Sequence, residues 1–203
     1  MTYPELTSEA LSARPLANAA GDADAACPSD RLRTLVEVHY AFVWRSVRRL
    51  GVAAADADDA AQQVFLVLSR KLRAVRPGCE PRFLFQTALR VASDYRRAKR
   101  RRRDANDGTP LPDPVDPAAG PFDVLALRAE RAMLDRVLDA MPLELRAVFI
   151  LRELDEMTTA EVANVTGLRM GTVASRLRRA RAIFVDKATE LTGGQNKPQG
   201  ESR

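Results

Sequence analysis

The stretch from Thr158 to Phe184, TTAEVANVTGLRMGTVASRLRRARAIF, constrains this chain more than any other, because it reads as two short helices across a tight turn, the second densely basic. Thr158 suits an N-cap, and Glu161 three residues on can reach back to its N–H, the signature of a capping box. Val162, Ala163 and Val165 give the first helix a small apolar face. Gly167 falls where the turn needs a residue at ease with positive φ, and Leu168 anchors the turn. The pattern is that of a helix-turn-helix.

With Val173 as zero on a wheel of about 100° per residue, Leu177, Ala180 and Phe184 share its stripe, whereas Gly171, Ser175, Arg178 and Arg179 point the opposite way. One face packs and the other is free to read a groove. Ser175, Arg178 and Arg179 are the candidate base-reading residues, with Thr172 at the head of the helix and Arg176 and Arg181 on flanks that meet phosphate walls. A lone basic helix is more simply a solvated face. A capped partner helix and a glycine turn beside it shift the reading to duplex DNA.

A chain of 203 residues has room for one or two small domains, and 5% aromatic residues with abundant Ala, Leu and Arg favours an all-helical, all-α architecture. The net charge is +5, but basic residues cluster near 96–103 and 169–181, which suggests a polyanion partner. Cys27 and Cys79 stand far apart without His or Cys neighbours, so neither a zinc site nor a disulfide framework is indicated, and no cofactor or metal is expected. A reducing cytoplasm fits that usage. No apolar run reaches the roughly 20 residues of a membrane span, so a soluble protein with no membrane insertion is expected.

The apolar spacing implies a mobile leader over 1–28, a helical unit over 29–103, a flexible acidic linker over 104–121, a second helical unit over 122–187 and a disordered tail over 188–203. From Arg31, Leu32, Leu35, Val36, Tyr40, Val43, Trp44, Val47 and Leu50 recur at three and four until Gly51. His39 within this run has no companion ligand and is read as a partly buried helix residue. A second helix from Asp56 to Leu72 carries an acidic first turn suited to the helix dipole, with Ala57, Ala61, Val64, Phe65 and Leu68 inward. Asp59, Gln62 and Gln63 fall together on its outer face. Arg76 to Pro81 is expected as a loop. A third helix turns Phe83, Leu84, Thr87, Ala88, Val91 and Tyr95 inward and ends in RRAKRRRR, Arg96 to Arg103, a run dense enough to call for a neutralising polyanion.

The segment 104–121 reverses sign, with four aspartates and no basic residue. Helical spacing resumes with Leu125, Ala129, Met133, Val137, Leu138 and Met141, and Pro142 opens a further helix running to about Leu154.

The layout resembles bacterial RNA polymerase sigma factors of the extracytoplasmic-function type, which keep two domains joined by a flexible linker. Four stretches carry the resemblance: DDAAQQVFLVL at 58–68, PRFLFQTALRVASDYRR at 81–97, MPLELRAVFILRELDEMTTAEVA at 141–163 and MGTVASRLRRARAIF at 170–184. It implies that the second helix docks on the clamp of the polymerase largest subunit through Asp59, Gln62, Gln63 and Phe65. The third helix would melt and read the promoter minus-10 element, and Arg76, Arg90, Arg96 and Arg97 are the residues suited to hold an opened strand. The helix-turn-helix would read the minus-35 element. Core RNA polymerase, promoter DNA and an anti-sigma factor are the implied partners, and the acidic linker would mimic RNA in the exit channel.

Two other readings compete. A stand-alone helix-turn-helix regulator would carry a dimerisation or sensory domain with strand alternation, which residues 31–103 lack. An enzyme acting on nucleic acid would need clustered carboxylates, a Cys/His site or a phosphate loop, and none has that form.

Overall fold

The computed structural model describes residues 28–105 and 123–193. The expected leader up to residue 27, the acidic linker beyond Ala105 and the tail beyond residue 193 lie outside the described residues. The described residues form seven α-helices and no strand: α1 (Pro28–Arg49), α2 (Ala57–Lys71), α3 (Glu80–Ala105), α4 (Asp123–Asp139), α5 (Leu143–Phe149), α6 (Thr159–Thr166) and α7 (Met170–Gly193). Short 3-10 turns flank α2, and α5 runs on as a π-turn over Ile150–Leu154.

α1, α2 and α3 pack on one another around Val43, Val47, Leu50, Val64, Leu68, Leu84 and Phe85, which recur at the three- and four-residue spacing of one helix face. Arg31 holds the start of α1 to the loop before α3. Its guanidinium pairs with Glu80 at 2.9 Å and donates to the carbonyl of Val75 at 2.9 Å, so the Glu80 carboxylate is buried with its charge met. His39 sits half-buried nearby, and burial pushes its pKa down against the opposing Glu80 charge. It is a helix residue of the interior flank.

The second set of helices packs α4 and α5 against α7, with Val137, Leu138, Met141, Val148, Leu151, Val162, Val173 and Ala180 buried. Phe149 of α5 stacks on Phe184 of α7 at 5.0 Å between ring centroids, a contact worth about 0.5–1.5 kcal/mol beyond its buried area. The two halves also meet directly, with α3 lying on α6.

Several boundaries differ from expectation. α3 begins at Glu80, so Pro81 sits in the first helical turn, where its missing N–H costs nothing, and not in the loop. α3 also extends two residues into the expected linker. Pro142 is the N-cap of α5 and not its first helical residue, its carbonyl accepting the N–H groups of Leu145 and Arg146. α7 continues to Gly193, six residues past the expected end at 187, because Ala188 and Leu191 pack against the core and Lys187 pairs with Glu190 at 2.7 Å.

Candidate nucleic-acid interface

α6 and α7 build the helix-turn-helix in the expected way. Thr158 adopts extended backbone as the N-cap, its Oγ1 accepts from the N–H of Glu161 at 3.3 Å, and its own N–H donates to Glu161 Oε2 at 2.7 Å. These bonds to the charged form hold the Glu161 carboxyl below its ordinary pKa. Gly167 closes α6 at φ 73°, the left-handed cap that a β-carbon disfavours, and its N–H donates to Ala163.

Along α7, Val173, Leu177 and Ala180 are buried and Phe184 is half-buried, while Ser175, Arg178 and Arg179 are exposed on the far side. Thr172 and Arg176 are half-buried on the flanks. Ser175 Oγ donates to the Thr172 carbonyl at 3.0 Å, which keeps the hydroxyl close to the helix and leaves room around it. Arg181 is held by Glu153, whose Oε1 accepts from Nη2 at 2.7 Å and Nε at 3.1 Å. That tie draws Arg181 toward α5 and away from a phosphate wall.

The second basic surface is α3. Arg76, Arg90, Arg97, Arg100, Arg101 and Arg102 are exposed. Arg96 is not. Its guanidinium lies 3.8 Å from Asp139 and donates to the carbonyls of Leu50 at 3.4 Å and Asp139 at 3.5 Å, inside the junction between the halves. Burial and the neighbouring Arg100 lower its pKa against the opposing Asp139. So Arg96 is separated from Arg97 and Arg90, with which the sequence grouped it.

On α2, Asp59, Gln62 and Gln63 are exposed together, and Gln63 Nε2 donates to the Tyr95 hydroxyl at 3.3 Å. Burial first, then the Asp56 and Asp59 charges, raise the Tyr95 pKa. Phe65 departs from expectation. It is 8% exposed and stacks on Tyr40 at 6.2 Å, so its ring supports α2 from beneath and offers no surface contact. The apolar side chain that does reach solvent is Leu66, 48% exposed and seven residues from Asp59, hence on the same face as Asp59, Gln62 and Gln63. Sequence reasoning passed over it because an isolated leucine in an apolar run gives no sign of facing out. The acidic first turn of α2 also has a further use: Asp58 accepts from the Tyr40 hydroxyl and the Trp44 indole N–H, both at 2.9 Å.

Among the described residues no cluster of His, Cys, Asp and Glu could hold a metal ion, and no helix is long and apolar enough to cross a membrane.

Comparison with known proteins gives a consistent result. Residues 35–102 match the family described as Sigma-70 region 2, and residues 131–183 match Sigma-70, region 4. The chain is 32% identical over 174 residues to an ECF RNA polymerase sigma factor SigE of Mycolicibacterium smegmatis, covering 83% of this chain and 65% of that relative. It is 27% identical over 165 residues to the ECF RNA polymerase sigma-E factor of Escherichia coli, covering 77% of this chain and 86% of that protein. The fold is shared with the sigma factor RpoE of Bartonella quintana, solved in complex with the anti-sigma factor NepR, at a TM-score of 0.57 and 18% identity over 78% of this chain and 96% of that one.

Proposed function

Since this chain belongs to the extracytoplasmic-function group of the sigma-70 family, we propose that it binds core RNA polymerase and directs promoter recognition, strand opening and transcription initiation, with no catalysis of its own. The observation that carries the reading is the presence on one chain of two separate basic surfaces, one on a capped helix-turn-helix and one along α3, beside an uncharged polar face on α2. A duplex reader alone has no use for the second basic surface.

In this assignment residues 122–187 form the minus-35 module. Arg178 and Arg179, the longest donors on the exposed face of α7, pair with base edges, while Thr172, Ser175 and Arg176 set the depth of the helix in the groove. Residues 29–103 form the minus-10 and polymerase-binding module. Arg76 and Arg90 lie with Arg97 along the path of the opened strand, and the run through Arg103 binds its backbone. Asp59, Gln62, Gln63 and Leu66 form the polymerase contact, polar groups around one exposed leucine, and Phe65 holds that face from below. A cytoplasmic location follows from these partners. An anti-sigma protein is the proposed negative partner, by likeness to the Bartonella quintana protein. A stand-alone regulator is disfavoured because the N-terminal half offers no sensory pocket of α/β type among the described residues.

The test is a pull-down of core polymerase. Replacing Gln62 and Gln63 together by Ala is expected to weaken capture while the thermal melt stays nearly unchanged. Phe65→Ala, in contrast, is expected to lower the melt by the roughly 3–5 kcal/mol of a buried aromatic truncation. Undiminished capture by the Gln62 and Gln63 variant would remove α2 as the docking face.

A further inference from the structure

The two halves of the chain are joined by a charged seam that polymerase or promoter binding does not explain. Arg146 projects from α5 and is 1% exposed. Its Nε donates to the carbonyl of Arg49 at the end of α1 at 2.5 Å, and Nη1 pairs with Asp139 at 2.6 Å. Arg49 in turn pairs with Asp155, and Arg48 lies 4.0 Å from Asp135. Arg96 of α3 reaches the same Asp139. Gly51 sits beneath both guanidiniums, at φ 105°, and a β-carbon there would stand 3.1 Å from Arg96 and 3.3 Å from Arg146. Each ion pair that crosses the seam therefore sets a C-terminal carboxylate against an arginine of α1 or α3.

Farther along α3 the turn of the helix-turn-helix is seated on its N-terminal half. Gln86 Nε2 donates to the Thr166 carbonyl at 3.2 Å, and the Arg82 guanidinium fills the space above Gly167, 2.5 Å from where a β-carbon would be. Arg82 and Gln86 are one turn apart and Arg90 is one turn further, so the turn covers part of the face assigned to the minus-10 strand. Below it an open cleft of about 470 Å³ runs between Arg96, Arg97 and Arg100 on α3 and Asp139 and Glu144 on the facing wall.

The seam is polar where a permanent interface would be apolar. Asp155 Oδ2 is buried with no hydrogen-bond partner, and burial raises the Asp155 pKa against Arg49 and Arg45. Burial likewise lowers the pKa of Arg146 against Asp139. Such incompletely compensated charges add little to stability and are suited to exchanging partners.

We propose that the seam is a self-masking contact: Asp139 holds Arg96 in the place of a DNA phosphate while the turn after α6 covers Arg82 and Gln86, so the free chain is closed to single-stranded DNA until the halves separate. This rests on the sigma-factor reading for the identity of α3 as the strand-binding helix. A phosphate chain entering the closed cleft meets Asp139 and Glu144, and only withdrawal of that wall leaves Arg96, Arg97 and Arg100 as an unopposed basic row.

The experiment uses the full chain, with small-angle scattering for its radius and fluorescence anisotropy for binding to an oligo(dT) strand across a salt series. Asp139→Asn is expected to enlarge the radius and to tighten oligo(dT) binding by a factor within the roughly 5–150 that couples two equilibria. Its log-affinity against log-salt slope should steepen as Arg96 becomes available to phosphate. Because that variant leaves Arg146 without a carboxylate, Arg146→Met is the second arm: it removes the buried charge, keeps side-chain bulk and should move both readouts the same way. An extended wild-type chain, or variants that open without binding the strand more tightly, would overturn the proposal, as would folded variants with both readouts unchanged. Loss of the sigma-factor reading would show instead as absent capture of core polymerase by the wild-type chain, with the scattering and oligo(dT) results unaffected.

Discussion

Thr158→Ala tests whether the capping box sets the stability of the DNA-reading unit. The substitution removes the acceptor for the Glu161 N–H and the hydroxyl that donates to Glu161 Oε2 at 2.7 Å, leaving the bond from the residue 158 N–H to Glu161. Loss of such a cap costs about 1 kcal/mol. In a unit of 60–100 residues that loss lowers Tm by about 4–8 °C, whereas in one cooperative body of 150–250 residues it lowers Tm by about 2–4 °C. The size of the shift therefore reports whether the C-terminal half melts alone or together with the N-terminal half across the seam. Calorimetry gives the midpoint, and hydrogen exchange at the Glu161 amide locates the loss. Thr158→Ser keeps the hydroxyl and should recover most of it. The pH dependence has a fixed sign: Glu161 has a depressed pKa in the folded chain, so its contribution is present above its ordinary pKa and fades as pH falls through the depressed value. An unchanged midpoint together with unchanged exchange at Glu161 would refute the claim that this cap holds α6.

Two further outcomes concern the basic surfaces. Arg178→Ala and Arg179→Ala should each be compared on matched and scrambled minus-35 duplexes; a base-reading arginine should lose roughly 1–3 kcal/mol of discrimination, and a phosphate contact should weaken both duplexes alike. Neutralising Arg101, Arg102 and Arg103 should lower affinity for opened promoter DNA and flatten its salt dependence with no change of base preference in permanganate footprinting, because backbone charge carries no sequence information.

The elements that sequence reveals best are those whose signal is local. The capping box, the left-handed glycine at 167 and the apolar stripe of Val173, Leu177 and Ala180 each depend on residues within two turns, and each stands where its spacing requires. Arg96 and Phe65 were harder because their surroundings are contributed by distant segments. Arg96 looks like one member of a basic run until Asp139, 43 residues away, is seen beside it. Phe65 reads as either face of α2 until Tyr40 is stacked against it. Arg146 did leave a trace: an arginine inside the apolar run LRAVFIL must either face water or be met by an acceptor, and the Arg49 carbonyl and Asp139 meet it.

The π-turn at Ile150–Leu154 gives this design an unusual fragility. The Asp155 N–H reaches back five residues to the Ile150 carbonyl, so one more residue is accommodated than an α-helix would hold. Deleting a single residue from that turn would restore ordinary winding and rotate everything after it by about 100°. Asp155 would then swing out from beneath Arg49, and Glu153 would lose its alignment with Arg181. An indel of one codon, leaving every charge in the chain intact, would rewire both contacts at once. At this spot the count of residues, more than their identity, is the inherited information.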